Sequence, residues 1–206
     1  MTTEILLIIL GVVAVVILVA LVLDIRQRSA RRKARSVGPR DRSLEDPAWE
    51  AKRQAAVDAS GIMDTAREDR YDSIVTMARQ LYGTDAAIFT VIDKDREWHK
   101  AMNGTDVVNN DRDTSFCSVT IRSSGSFVVG DASHDERFVD QPLVKDDTVR
   151  FYAGYPVTVD GQNIGALCVF DSEPRSESDV DDSMLKNLAS LIEAELRVDA
   201  LENRRR

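Results

Sequence analysis

An α+β fold with an antiparallel arrangement of strands, preceded by one apolar span, is what this 206-residue sequence predicts. Three observations carry the prediction. Apolar residues recur at helical spacing near Trp49–Tyr82 and again after Ser178. Between them lie short strand-like runs joined by polar turns. Two of those runs flank Asp160-Gly161, a pair suited to a type I′ hairpin because both central residues need positive φ. The resulting order is helix, two strands, short helix, strand, loop, two strands in a hairpin, helix. Helices at the ends and antiparallel strands between them define the α+β class.

The chain opens with a four-residue tail, 1–4, followed by "ILLIILGVVAVVILVALVL" at 5–23, which holds no charged residue. At about 1.5 Å per residue this run reaches about 28 Å, close to the hydrocarbon thickness of a bilayer. A cleaved signal peptide needs a basic stretch before the apolar run, and "MTTE" has none. A transmembrane helix is therefore expected. Arg26, Arg28, Arg31, Arg32, Lys33 and Arg35 follow it, so the positive-inside bias places the rest of the chain in the cytoplasm. Residues 24–47 read as a basic flank and a spacer with Gly38, Pro39 and Pro47, and 201–206 as a basic tail.

The net charge of −8 is split. Residues 24–53 carry ten Lys and Arg against five Asp and Glu; residues 54–206 carry 17 against 29. An acidic folded part argues against nucleic acid, whose phosphates demand a basic surface. Two cysteines, Cys117 and Cys168, make no disulfide framework.

Within the domain, at 48–200, a first helix is expected over Ala48–Ala59, stopping near Gly61. A second carries the stripe Ile74, Val75, Met77, Ala78 and Leu81 and ends at Gly83. "AAIFTVID" is a continuous apolar run fit for a central strand, and "REWHKAM" pairs antiparallel with it. "FCSVTIRSS" reads as a short helix ending at Gly125, "SFVVGD" as a strand, and "ASHDERFVDQPLVKDD" as a loop with one helical turn. "RFYAGYPVTVDGQNIGALCVFD" is the hairpin. Strand alternation puts Phe151, Ala153 and Tyr155 on one face and Arg150, Tyr152 and Gly154 on the other. The last helix presents Val180, Met184, Leu188, Leu191, Ile192 and Leu196, with Ser176 as its expected N-cap.

The stretches "SFC", "VVGDASHDERFVDQPLV", "RFYAGYPV", "IGALCVFD" and "EPR", with the lead-in "SGIMDTAREDRYDSIVTMARQLYG", stand in the order and spacing of a bacterial group of GAF domains. The resemblance covers Val57 to Arg197. It implies a GAF/PAS-like central antiparallel sheet of five or six strands with helices on both faces. It also implies a small-molecule pocket closed by loops and the short helix. The expected function is a membrane-anchored cytoplasmic sensory module, with no output domain after Leu196, that binds a ligand and signals by dimerising or through a separate output protein.

On that layout Phe116, Cys117, Asp131, Arg150, Tyr152, Gly154 and Cys168 are the candidate ligand-binding residues. His134, Arg137 and Phe138 belong to the lid, where Asp131 and Arg137 are expected to pair. In the alternative, Arg150 pairs with Asp131. No cofactor is expected, and no metal, because the two Cys and two His lack the close spacing of zinc ligands. A thiol enzyme of the free methionine sulfoxide reductase type, working through Cys117 with His134 as base, is one alternative. An interaction domain with a filled pocket is the other. Terminal helices with broad apolar faces suggest a homodimer.

Overall fold

In the computed structural model, which describes residues 46–203, the first helix opens on Asp46. The expected membrane span at 5–23, most of its basic flank and the last three residues lie outside the described residues. Among the described residues no helix is long and apolar enough to cross a membrane. The Asp46 carboxylate accepts from the backbone N–H of Ala48 and Trp49, and Pro47 starts helix α1, Pro47–Ser60. Gly61 ends it at φ 64°, a left-handed position that favours glycine. Helix α2 is Asp69–Tyr82, ended the same way by Gly83.

The sheet has six strands, one more than the sequence pattern indicated. These are β1 (Ala86–Asp93), β2 (Arg96–Asn103), β3 (Asn109–Asp111), β4 (Phe127–Val129), β5 (Phe151–Val159) and β6 (Gln162–Asp171). Their order is β3-β2-β1-β6-β5-β4, and every neighbouring pair is antiparallel. β3 is short, polar and at the edge, so no apolar alternation announced it. The β5–β6 hairpin turns on Asp160 at φ 49° and Gly161 at φ 74°, as the sequence predicts.

Between β3 and β4 lies helix α3, Phe116–Thr120. It is five residues long, shorter than expected; Val119, Thr120 and Ile121 are consecutive β-branched residues, which sit poorly in a helix. The loop after β4 holds a 3₁₀ turn at Ala132–His134 and the one-turn helix α4, Pro142–Lys145. Helix α5, Asp182–Asn203, closes the domain. Its first amides are capped by Asp181, which accepts from Ser183 and Met184. Ser176, the expected cap, instead caps the 3₁₀ turn Glu177–Asp179.

The two faces of the sheet are covered differently. On one, α2 and α5 seat Tyr71, Ile74, Val75, Leu185, Leu188 and Ile192 against Phe89, Val91, Phe151, Ala153, Leu167 and Val169. Each such side chain contributes about 1.5–3 kcal/mol on full burial. Met77, Leu81 and Leu191, expected on the apolar stripes, are instead 40 %, 57 % and 47 % exposed. The other face is covered by α3, α4 and the loop between β4 and β5, called the lid below, with Trp49 of α1 packed beside them.

Charged groups anchor α1. Arg53 is wholly buried; its guanidinium donates to the Ile92 carbonyl at 2.6 Å and to both oxygens of Glu50. Arg112 grips the same carboxylate from the other side at 2.7 and 3.0 Å. Burial works to raise the Glu50 pKa, but the two forked Arg contacts outweigh it and hold it at about 2, against 4.5 when free. Because the folded-state pKa is the lower one, this contribution to stability is complete above about pH 4.5 and is lost as pH falls through about 2. Urea unfolding should therefore show stability declining between pH 5 and 2. Glu50→Gln, which leaves Arg53 buried beside a neutral partner, should cost roughly 2 kcal/mol at pH 7 and flatten that decline.

Candidate functional site

The lid face gathers five of the seven residues the sequence singled out for a ligand. Ser115 caps α3 by accepting from the Ser118 N–H at 3.0 Å, which turns Phe116 and Cys117 toward the sheet. From β5 and β6 come Tyr152, Gly154 and Cys168, with Gly154 directly opposite Cys168 in the register. Phe138 of the lid stacks on Phe116 with ring centroids 4.0 Å apart, and Phe116 stacks on Tyr152 at 5.0 Å. Phe127 completes the group, tilted against both Phe138 and Tyr152. These four rings pack on one another beneath the lid. Gly154 gives space as expected, but to Tyr152: a Cβ there would lie 2.3 Å from the Tyr152 hydroxyl and 2.9 Å from Thr120 Oγ1.

The two thiols meet. Cys117 Sγ and Cys168 Sγ are 3.6 Å apart, both free and both buried. The Tyr152 hydroxyl lies 3.3 Å from Cys117 Sγ and 2.7 Å from Thr120 Oγ1. Burial, then the neighbouring Cys168 thiol and the Glu97 carboxylate, push the Cys117 pKa well up, so the sulfur is held as a thiol. Of the two histidines, His99 is the buried one, 3.9 Å from Glu97, whose carboxylate contacts the Cys117 thiol. His134 is on the surface with its side chain 81 % exposed, its Nδ1 2.8 Å from Asp131.

Asp131, Arg150, His134 and Arg137 lie at the rim rather than in the interior. Asp131 takes the Arg150 guanidinium at 3.1 Å, and Arg150 also reaches Asp147 at 2.9 Å. Arg150 foremost, with Ser133 and His134, holds the Asp131 pKa well below the carboxylate range. Arg137 pairs with Asp135, where the sequence reading paired it with Asp131, and its guanidinium lies over the Phe127 and Phe138 rings. The rim is thus a latch: Arg150 at the start of β5 ties together both ends of the lid loop.

Sequence reasoning missed the polar floor beside the rings. On β1, Ile88 and Ile92 face the lid, and Thr90 is in phase with them. On β2, Trp98 faces α2, so Glu97 and His99 face the lid. All three are buried. His99 Nδ1 contacts the Val107 carbonyl, while its Nε2 and the Thr90 hydroxyl have no hydrogen-bond partner among the described residues. Burial opposes the Glu97 charge, but His99, Cys117 and Asn110 outweigh it and lower the pKa. An acid and an imidazole two residues apart in "EWHKA" were the available signal.

Two surface clefts open elsewhere, of about 330 and 480 Å³, and neither is lined by the four rings. The first surrounds a hydrogen-bonded link from lid to α5. Asn163 Nδ2 donates to the carbonyls of Ile121 and Ser123, just past α3. The Thr158 hydroxyl donates to Asn163 Oδ1 at 3.1 Å, and the Thr158 N–H donates to Glu193 of α5 at 2.9 Å.

Comparison with known proteins gives a consistent result. Residues 66–196 match the family model described as GAF domain. Over 155 residues, 73 % of the chain, the sequence is 38 % identical to a cyclic di-GMP phosphodiesterase from Pseudomonas aeruginosa, of which the match spans only 26 %. Among solved structures, a free methionine-R-sulfoxide reductase from Neisseria meningitidis in complex with its substrate is similar at a TM-score of 0.55 and 16 % identity. That match covers 78 % of this chain and 96 % of the other. The GAF domain of an Acinetobacter phosphoenolpyruvate-protein phosphotransferase is similar at 0.51 and 17 % identity, covering 77 % of this chain and 99 % of that one. At these identities the structural likeness speaks for the fold.

The buried, protonated sulfurs have a direct consequence. In native protein at pH 7.5, an alkylating or disulfide reagent should label neither Cys117 nor Cys168 within minutes, and in urea it should label both. Prompt native labelling would place Cys117 among reactive thiols.

Proposed function

The chain belongs to the GAF domain family, and on that premise we propose that it is a sensory module. Its lid rests closed over the sheet and is displaced by a small-molecule ligand. One observation carries this reading: the two sheet faces differ in chemistry. The face under α2 and α5 is built on a large apolar cluster, and the buried Lys100 there is fully partnered by Thr65, Ala66 and Glu68. The lid face buries Thr90, Glu97, His99, Cys117, Thr120, Tyr152 and Cys168. Burying polar groups is costly unless they are fully partnered, and apolar residues would cover the sheet more stably. A site for a polar ligand accounts for their retention.

The lid is also suited to opening. Its latch consists of ion pairs at the solvent boundary, where water screens them and holds them weakly. A ligand that binds the open arrangement more tightly shifts the population toward it. The Asn163–Thr158–Glu193 link offers a route from α3 to α5. We further propose that the span at 5–23 anchors the module, with the domain on the cytoplasmic side, and that output passes to a second copy or a partner protein. Supporting the second copy, α5 presents Leu191, Val198 and Leu201 to solvent at spacings of seven and three, beside the exposed Met77 and Leu81 of α2. From the curated relative, the domain alone is carried over, since the match spans about a quarter of it.

The stacked rings favour a second reading, an interaction domain whose chamber stays filled. Hydrogen exchange separates the two. If the chamber is a sensor site, amides of residues 131–147 should exchange faster than those of β1 and β6. A compound from a metabolite library should also slow them and raise Tm by several degrees, as about 2.7 kcal/mol at 100 Kd implies. Lid amides protected as well as the central strands, with no stabilising compound, would leave the interaction domain. The dimer is tested separately. Leu191→Lys with Val198→Lys should shift the sedimenting species from dimer to monomer while the circular dichroism spectrum is kept.

A further inference from the structure

The sensory reading leaves the ligand's chemistry open, and the polar floor narrows it. The Glu97 carboxylate is 5 % exposed, and the Asn110 amide donates to it at 3.4 Å, a long contact. The His99 Nε2 atom lies 3.9 Å from Glu97 Oε2, beyond hydrogen-bonding distance. His99 Nδ1 contacts a backbone carbonyl and so carries a proton, and when the ring is neutral its Nε2 presents a lone pair. Thr90 is the direct cross-strand partner of His99, and its hydroxyl has no partner among the described residues. Side chains directly opposite on one face have Cβ atoms about 5 Å apart. With the ring neutral, three acceptors converge on one patch of the floor, and one of them is an anion.

We propose that this patch is the recognition site for a primary ammonium group on the ligand, an inference that rests on the sensory reading above. A protonated primary amine has three N–H donors and one positive charge. Glu97, His99 Nε2 and Thr90 Oγ1 supply three acceptors and one negative charge. Two acceptors 3.9 Å apart can both lie within about 2.8 Å of a single nitrogen placed above them, the usual length of a charge-assisted hydrogen bond. An anionic ligand group is disfavoured there by Glu97, and a neutral one leaves the carboxylate to its Asn110, Cys117 and His99 contacts alone. The rest of the ligand lies toward Cys117 and Tyr152, beneath the rings. The way in is the loop 104–108 and the three-residue edge strand β3, whose ladder pairs only with β2.

The test uses the full chain in detergent micelles, with free α-amino acids and short alkylamines as probes. At least one primary amine should raise Tm, and its N-acetyl or N,N,N-trimethyl counterpart should not. Glu97→Gln should weaken that amine at least about tenfold, the size expected for losing one charge-assisted hydrogen bond. In the unaltered chain, the His99 Nε2 resonance should move on titration with the same amine, a readout that survives if the variant folds poorly. Stabilisation by neutral or anionic compounds alone, or amine binding indifferent to Glu97→Gln with His99 unmoved, would overturn the ammonium site and leave the sensory reading standing. No stabilisation by any amine overturns the ammonium site; no stabilisation by any library compound overturns the sensory reading as well.

Discussion

β1 and β6 are shut off from water on both faces, and the rest of the domain is arranged to meet that requirement. β1 is buried from Ala86 to Ile92, and β6 from Ile164 through Val169. Neither strand reads as an alternating amphipathic run, because neither has a solvent face. Two covers are therefore obligatory. Close strand pairing also demands small residues where backbones approach. A Cβ on Gly165 would lie 1.9 Å from the Thr90 carbonyl, so the β1–β6 pairing that positions Thr90 depends on that glycine.

The two covers differ in thickness and in kind. α2 and α5 are long helices that interlock through Tyr71, whose hydroxyl donates to Asp199, and through Arg70 on the same carboxylate. That side resists opening because its apolar contacts are lost together. The lid side is two short helices and loops, pinned by an aromatic stack and a rim of ion pairs. Functional motion in proteins is drawn from the least stable parts, and here that part lies over the polar groups. The buried cations Arg53 and Lys100 stay on the scaffold. Lys100 occupies the β-bulge opposite Phe89 and Thr90 and donates to Thr65 and Ala66 on the α2 side. The bulge allows His99 and Ala101 to face opposite ways while both remain paired.

Much of this was legible in the sequence and some was not, for identifiable reasons. The hairpin, both glycine-ended helices and the central strands were readable, because Asp160-Gly161, Gly61 and Gly83 act through local backbone geometry. The face assignment of Phe151, Tyr152 and Gly154 followed from alternation. Three things were hidden. β3 has no apolar residue to announce it. The length of α3 depended on a β-branched run whose effect is weak by itself. The Glu97–His99 pair looked like part of an ordinary strand, since a charged residue in an alternating run normally faces water. Only the sheet order, which sets β2 inside β3 and beneath the lid, turns that pair inward. Leu191 shows the converse: it is apolar at core spacing and yet exposed, because helical periodicity alone does not say how much of a wide apolar face the sheet covers.

The lid and α5 lie on opposite faces of the sheet, so a change between them passes round its edge. The Ser126 hydroxyl, between α3 and β4, donates to Asp182 at the start of α5 at 2.6 Å, and a second connection is the end of the β5–β6 hairpin. Asn163 holds the two carbonyls just past α3 with one amide nitrogen, and its oxygen accepts from Thr158, whose backbone N–H is held by Glu193. Asn163 and Thr158 are paired across the hairpin where the register shifts, after Val157. Such a shift interrupts the ladder, so this is where the strands yield most readily. A displacement of α3 by even a fraction of an ångström must either break the Asn163 contacts, leaving buried carbonyls without a donor, or carry the hairpin tip with it. The second course is cheaper if Glu193 and α5 follow. Packed interfaces are bistable rather than elastic, and a helix presenting Leu191 and Val198 outward is the element from which a second chain could read which of two positions it occupies.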